Sequence, residues 1–493
     1  MKKTIITLLV TSTFVVPVWG GGLLHNTNQS VAWQRMMARG ATTEIDGIYT
    51  NPAGTAFLGH EGWTLSLNIQ SASQKRDVLA TFPLFPTEDH TKLYKGTATA
   101  PVIPSLYAAY KRDKWAFSGF FGFVGGGGKA SFDSGLAMFD AQVMAGVYSK
   151  TKALLASQPM LKQLVGAEAV TPAMYTINSS MKGHQYVCGL QLGAAYQINQ
   201  HWSAFAGFRL NYFDGSYNGH VDASMGDEFK QRVSAAMAAL TPEQQAAYSP
   251  MLTALAQEGG LTHIKLDCKQ TGWGVTPIVG VDYKTGPLTL AAKFEFKTNL
   301  NIENDTKTLE ATAMGQASEE LENSMKASYG HGVNTPNDLP SVLYVAAGYE
   351  IIPNKLRAAV EYHFYDDKHA DMANDKQKYL KHGTHEVLAG LEWDINRIFT
   401  VSCGFQNTDY GLSDDYQTHT AFSCDSYSLG FGGAVNLSER VRLNLGYFWT
   451  TYKDYTKVVP AANPGGYCGT TMAGTDVYSR TNKVFGISID YKF

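Results

Sequence analysis

The stretch that decides the fold is KVFGISIDYKF, Lys483 to Phe493. Phe485, Ile487, Ile489, Tyr491 and Phe493 fall on one face, and Gly486, Ser488, Asp490 and Lys492 on the other. Strict alternation over this length is the period of a strand with one apolar side. RVRLNLGYFWT repeats it, with Val441, Leu443, Leu445, Tyr447 and Trp449 set against Arg442, Asn444, Gly446 and Phe448. HEVLAGLEWDI sets Val387, Ala389, Leu391, Trp393 and Ile395 against Glu386, Leu388, Gly390, Glu392 and Asp394. Carboxylates such as Glu392 and Asp394 need a polar side to face.

Half-apolar strands also build sandwiches of packed sheets, so the connections must discriminate. Tight polar turns stand at Lys111 to Lys114, Asn199 to His201, Lys284 to Pro287, Pro353 to Lys355, Asn396 to Arg397 and Leu437 to Arg440. They alternate with long segments at residues 73–96, 129–182, 214–262, 300–339, 365–384, 407–423 and 451–480. Short turns at one end and long loops at the other are the asymmetry of an outer-membrane barrel, and the strands number about fourteen. The fold expected is therefore all-β: an antiparallel transmembrane β-barrel spanning residues 63–493.

The beginning of the chain fits the same compartment. Residues 1–20, MKKTIITLLVTSTFVVPVWG, carry Lys2 and Lys3, an apolar run from Thr4 to Val16, then Pro17 and Gly20, the layout of a secretory signal. The run is shorter than the roughly 20 residues of a spanning helix. With the signal removed, 38 basic residues face 43 acidic ones, a net charge of −5 with no basic cluster, which speaks against nucleic acid as a partner. The composition, 27 Tyr, 24 Phe and 48 Gly, is rich in aromatics and glycine for a soluble exported enzyme. Cys188, Cys268, Cys403, Cys424 and Cys468 are too few and scattered for a disulfide framework, and alternation puts Cys403 and Cys424 on opposite sides of the sheet.

A barrel of fourteen strands leaks unless its lumen is filled. Residues 21–62 precede the first strand and can form that plug. Within them Asn51-Pro52-Ala53-Gly54 reads as a fixed turn, because proline presets one dihedral and asparagine caps its own backbone.

Three further segments concern a ligand. WAFSGFFGFV, Trp115 to Val124, reads as the third strand, with Phe120 and Val124 opposite Trp115, Phe117, Phe121 and Phe123, so both faces are apolar. It runs into Gly125-Gly126-Gly127-Gly128, which reads either as a kink in the wall or as a flexible entry to the next loop. The loops after the third and fifth strands carry helical periodicity. Leu136, Phe139, Val143 and Val147 recur in the first, continued by Leu154, Leu155, Met160, Leu161 and Leu164; Met225, Phe229, Val233, Met237 and Leu240 recur in the second, before a capped start at Thr241-Pro242-Glu243. Phe139, Val143, Phe229 and Met237 are candidates to contact an apolar ligand, or else the helices bury these faces against each other.

Catalytic and cofactor motifs are missing. In GFFGFVGGGGKA, Phe123 and Ala130 stand where a phosphate loop needs Gly and Ser/Thr. His363, His369, His382 and His385 lack metalloprotease spacing and are expected at exposed loops or strand ends, and Asp366-Asp367 and Asp414-Asp415 as solvated loop acids.

The lead-in NTNQSVAWQRMMARGATTEIDGIYTNPAGTAFL resembles the amino-terminal hatch of the FadL-type transporters, through Asn26 or Asn28 with Gln29-Ser30, then Arg39-Gly40-Ala41, then Asn51-Pro52-Ala53. The resemblance implies an outer-membrane channel for hydrophobic small molecules such as long-chain fatty acids or aromatic hydrocarbons. Ligand would be captured at the extracellular end, pass to a site against the hatch, and leave sideways at a kink in the third strand. It implies outer-membrane lipid and the barrel-assembly machinery as partners, and no cofactor. Two other readings stay open: a general diffusion porin, and a receptor or platform barrel for surface-protein secretion.

Overall fold

A computed structural model describes residues 22–157, 171–313, 316–463 and 465–493. In chain order the barrel strands are β1 (Gly62–Thr81), β2 (Thr91–Arg112), β3 (Trp115–Phe132), β4 (Tyr175–Gln197), β5 (Trp202–Met225) and β6 (Thr262–Thr285). There follow β7 (Leu288–Glu295, resumed over Asn301–Ala313), β8 (Asn334–Pro336, resumed over Val342–Ile352), β9 (Leu356–Tyr365) and β10 (Thr384–Asp394). The last four are β11 (Phe399–Asp409), β12 (Ser426–Asn436), β13 (Val441–Tyr452, resumed over Tyr455–Val459) and β14 (Gly474–Lys492). Each pairs antiparallel with its neighbours, and β1 closes on β14 from Thr64 opposite Lys492 to Thr81 opposite Thr475. A closed ladder leaves no edge, the condition for strands in hydrocarbon, where unpaired backbone groups find no water.

The faces are inverted relative to a water-soluble protein. On β14, Ile487 is 46% exposed while its neighbour Ser488 is 4% exposed. On β1, Leu67 and Ile69 face out, and Ser66, Asn68 and Gln70 are buried. Apolar side chains outside and amides inside require lipid around the wall and packed polar matter within. Aromatic pairs mark the end with the short turns: Trp63 against Tyr110, Trp115 against Tyr196, and Trp202 against Tyr283, with ring centroids 5.2, 4.6 and 4.7 Å apart. A second outward-facing set, Tyr212 and Trp273, lies about ten residues further along β5 and β6, the length a tilted strand needs to cross the hydrocarbon.

The strands continue well past that band. The expected long loops shrink accordingly: the connection assigned to residues 73–96 is strand up to Thr81 and again from Thr91. Beyond the lipid the outer face turns polar, as with Ser71, Ser73 and Lys75 on β1 and Lys265 and Lys269 on β6, so the alternation that announces a strand fades. Within the lumen lie α1 (Val31–Arg35), α2 (Gly47–Thr50) and a 3-10 helix, Pro52–Phe57. Over the wide end lie α3 (Ala137–Ser157), α4 (Asp227–Ala238), α5 (Pro242–Ala256) and α6 (Glu319–Tyr329). Thr241 caps α5 reciprocally with Gln244, as its sequence implies. Met160, Leu161 and Leu164 lie outside the described residues. Cys403 is exposed and Cys424 buried, on opposite sides of the wall.

Ile487 sits midway along the outward apolar row of β14. Ile487→Arg is expected to destabilise the barrel by about 2–4 kcal/mol, the cost of an arginine at the bilayer midplane. Reversible unfolding in lipid vesicles measures this; a loss below about 1 kcal/mol would mean that this face is not in hydrocarbon.

Candidate functional site

The segment before β1 fills the lumen, and its fastening can be followed from the short-turn end upward. Ser30 caps α1 by accepting the N–H of Trp33 at 3.0 Å. The helix leans on wall glycines: a Cβ on Gly446 would come within 2.8 Å of Gln34 Cβ, and one on Gly404 within 2.3 Å of the Met37 nitrogen. Only strands without side chains there admit a helix so close. Arg35 pairs with Glu392 of β10 and donates to Ser402 and Asn444 at 3.0 and 3.2 Å. Arg39 grips both carboxylate oxygens of Asp46, at 2.8 and 2.7 Å, and reaches Glu44 at 2.6 Å. Glu44 in turn accepts from Arg442 of β13 at 3.0 Å.

Asn51-Pro52-Ala53-Gly54 forms the turn into the 3-10 helix, with Pro52 at its first position. Asn51 Oδ1 accepts the Gly54 N–H at 3.3 Å, while Nδ2 donates to Thr42 O at 3.0 Å and to Asp282 of β6 at 2.5 Å. The Ala53 carbonyl accepts from Ser203 of β5 at 2.8 Å. A Cβ on Gly54 would strike Thr42 O at 2.7 Å, so the turn needs glycine. Just before it, the Tyr49 carbonyl accepts from Lys293, which also holds Glu295 at 2.8 Å; Glu295 pairs with Arg209 at 2.5 Å.

β3 runs unbroken through Gly125 to Gly128. Its pairing with β2 stops beyond Leu106 opposite Phe121 and resumes only at Thr99 opposite Lys129, and its register against β4 shifts on both sides of Gly125 and Gly126. Gly126 has φ +85°, a value that side chains resist. Opposite the glycines, β2 carries Pro101 and Pro104, which have no N–H to donate. Two incompatibilities therefore face each other, and the ladder opens between them. The plug occupies the inner side of this gap: Asn26 N donates to Val124 O at 2.9 Å, and Gln29 Nε2 to Phe123 O at 3.0 Å. A Cβ on Gly125 would meet Leu24 O at 2.4 Å. Phe120 and Val124 point inward, with Phe120 packed between Tyr49 and Tyr107 at 5.0 and 4.9 Å.

At the opposite end a small cavity of about 40 Å³ lies below α3 and α6. Phe139, Met181, Ile264, Leu266, Met325 and Tyr329 line it together with the polar Ser180, His220 and Thr420. Of the four helical candidates only Phe139 reaches this pocket. Val143 and Phe229 are buried in the surrounding apolar core, Phe229 against Tyr175, and the Met237 carbonyl accepts from Gln245. Met325 and Tyr329 come from a helix that the sequence reading left within a loop. Met181 belongs to a strand extension that the sequence reading places in a loop, and Ile264 and Leu266 lie just past the segment 214–262, where that reading names no candidate.

His363 corrects the sequence reading. It is fully buried on β9, with Nδ1 2.9 Å from Glu386 and Nε2 2.5 Å from Glu361. Both carboxylates also accept from the plug, Glu386 from Thr27 at 3.1 Å and Glu361 from the Gly40 N–H at 2.7 Å. Sequence distance hides such a cluster, because its members face one another only after neighbouring strands pair. Asp367 is likewise buried rather than solvated, accepting from Thr384 N and Oγ1 at 3.1 and 2.5 Å. His369 is exposed.

The connection between β11 and β12 folds inward rather than outward. Tyr416, Gln417, Ala421, Phe422 and Cys424 are all buried. Its His419 lies 2.9 Å from Asp476 of β14. Burial alone would lower the pKa of that imidazole, but the adjacent carboxylate outweighs it and raises it to about 10.

The chain matches no family model and no curated protein. Its fold matches solved structures. A Pseudomonas aeruginosa FadL homologue is similar at TM-score 0.62 and 13% identity, over 98% of this chain and 100% of that one. The P. putida toluene transporter TodX is similar at TM-score 0.54 and 15% identity, over 92% and 95%. The Ralstonia pickettii toluene transporter TbuX is similar at TM-score 0.50 and 12% identity, over 91% and 94%. These likenesses assign a fold, the fourteen-stranded outer-membrane barrel with an N-terminal plug.

Arg39→Ala leaves Asp46 buried without its guanidinium, a change that costs about 3–5 kcal/mol in plug anchoring while the strand ladder stays intact. Proteolysis of residues 23–57 should accelerate with the folded barrel band unchanged on a gel; equal protection would show that the anchor is dispensable. The His419 contact works through a raised folded-state pKa, so it stabilises fully below the ordinary value of 6.5 and is lost as pH rises through about 10. Protease cleavage within residues 410–425 should therefore increase over that window in the native chain, and His419→Gln should abolish the dependence.

Proposed function

We propose that this FadL-type barrel conducts hydrophobic small molecules, long-chain fatty acids among them, passively from the cell surface to an exit in its wall. The observation that carries this reading is the unpaired stretch between β2 and β3, faced on its lumen side by Asn26 and Gln29 of the plug. Ligand enters by the pocket at Phe139, whose walls are apolar, and descends to Phe120 and Val124. Val143, Phe229 and Met237 hold the helices over the mouth. Arrival then displaces the arm around Asn26 and uncovers the gap at Gly125 to Gly128, the kink through which ligand passes into outer-membrane lipid. In this reading the barrel-assembly machinery inserts the chain.

Magnitudes support motion of the arm alone. Its contacts with β3 are neutral hydrogen bonds, each worth about 0.5–1.5 kcal/mol net, and its one bond to a carboxylate, Thr27 to Glu386, is worth about 1.5–3 kcal/mol. The rest of the plug is held by buried ion pairs whose rupture costs several times more. Asn51, Pro52, Ala53 and Gly54 stand between the two parts and serve as the fixed point against which the arm swings. Transport is driven by the concentration gradient and by consumption beyond the membrane.

Asn51→Ala combined with Pro52→Ala removes the charge-assisted bond to Asp282, worth about 1.5–3 kcal/mol, and should lower uptake of a fluorescent fatty acid into reconstituted vesicles about tenfold, with barrel assembly unimpaired. Unchanged uptake would overturn the role of the turn. A large steady conductance of the native protein in a planar bilayer would replace the reading with a diffusion porin. An empty barrel that retains a stoichiometric protein on gentle purification would replace it with a secretion platform.

A further inference from the structure

We infer that the mouth of the barrel at the short-turn end binds a small multivalent oxyanion, carboxylate or phosphate, among Lys355, Arg397 and Arg442, in competition with Glu44 of the plug. The site is independent of the conduction reading, since its occupant is hydrophilic and its walls lie at the periplasmic side of the plug.

Two neighbouring turns build it. Lys355 stands in the turn from β8 to β9, where Asn354 takes φ +56°. Arg397 stands in the turn from β10 to β11, where Asn396 Oδ1 accepts the N–H groups of Ile398 and Phe399 at 2.8 and 2.9 Å. The turns are also tied to their surroundings: Lys355 O accepts from Asp394 N at 2.7 Å, and Arg397 O from Asn436 Nδ2 of β12 at 2.9 Å. Both side chains are thus carried on fixed backbone. With Arg357 and Arg442 they line a recess of about 400 Å³, whose carboxylates are Glu44 and Asp394.

Four cations therefore meet two carboxylates, and both carboxylates are engaged. Asp394 accepts from Arg357 at 2.8 Å and from Thr400 Oγ1 at 2.6 Å. Glu44 accepts from Arg39 at 2.6 Å and from Arg442 Nη1 at 3.0 Å. Among the described residues Lys355 and Arg397 have no ion-pair partner. Arg442 gives Glu44 one nitrogen, while its Nε and Nη2, the edge of a guanidinium that takes two oxygens side by side, make no hydrogen bond. A concave site with an excess of one sign focuses its field on an entering counter-ion. The adjoining recess, of about 570 Å³, adds Arg440 and Lys492 together with Glu439 and Asp490, a balanced set that leaves the excess where the two turns meet. Glu44 is 37% exposed, so an oxyanion from the periplasm reaches Arg442 without passing the rest of the plug. Two anions on one guanidinium repel each other, and the solute and Glu44 compete for it.

Titration calorimetry of the purified full-length protein with citrate, pyrophosphate and acetate at neutral pH tests this. Citrate, pyrophosphate or both should bind saturably and about tenfold tighter than acetate, the value of one added charge-assisted contact. The tighter of the two names the group, carboxylate or phosphate. Lys355→Gln combined with Arg397→Gln should weaken that binding about tenfold or more. Glu44→Gln should strengthen it, because the competing anion is gone. Arg112→Gln combined with Lys114→Gln, in a turn outside the recess, should leave it unchanged. Absence of saturable binding by both multivalent anions would overturn the inference, as would an equal loss in the two double variants, the mark of diffuse attraction to a charged rim. An unchanged affinity in Glu44→Gln would overturn the competition with the plug.

Discussion

Everything in this molecule depends on one constraint: in hydrocarbon each backbone N–H and C=O must be paired within the wall. Closure of β1 on β14 meets it around the circumference. The inverted faces follow, because a wall immersed in lipid keeps its amides and charges for the inside. So does the need for a plug, since a polar lumen of fourteen strands is otherwise an open pore. The constraint also makes the exception informative. Between residues 100–105 of β2 and 122–128 of β3 the ladder is not made, and the local sequence cannot make it, with prolines on one side and glycines on the other.

The plug is polar where a soluble core would be greasy, and its energetics differ accordingly. Arg35, Arg39, Glu44, Asp46 and Glu392 interlock near the short-turn end, and Lys293, Glu295 and Arg209 under Tyr49. Buried pairs of this kind add little net stability over an apolar alternative, yet breaking one partner is costly. They suit an element that must be seated in one position rather than one that must be maximally stable. The Thr27 and Gly40 contacts to the His363 carboxylates serve the same end.

Much of this architecture was legible in the chain. Strands such as Phe485 to Phe493 alternate because each residue inside the lipid band faces either hydrocarbon or the polar lumen. The turn at Asn51 is local chemistry and can be read locally. The strand extensions could not be read in this way, since above the band both faces meet polar surroundings and the period weakens. The cluster around His363 forms only through strand pairing, and the pocket residues Ile264, Leu266 and Met325 meet only where a helix packs over paired strands, neither of which a single sequence displays. The prolines opposite the glycine run were a readable signal: Pro101 and Pro104 in an otherwise regular strand mark a place where pairing fails.

The distribution of fastening along the plug bears on how such a barrel could open without leaking. If charged anchors held the whole segment, ligand would have to break several buried ion pairs at once, more than the binding of a small apolar molecule supplies. If neutral hydrogen bonds held all of it, the plug would leave the lumen too readily and the barrel would conduct ions. Here the bonds at Asn26 and Gln29 are neutral and sit at the gap, while the ion pairs lie farther down the chain, from Arg35 at the end of α1 onward and around Tyr49. The weak part faces the gap between β2 and β3 and the strong part lies in the lumen, an arrangement that the proposed sideways conduction requires.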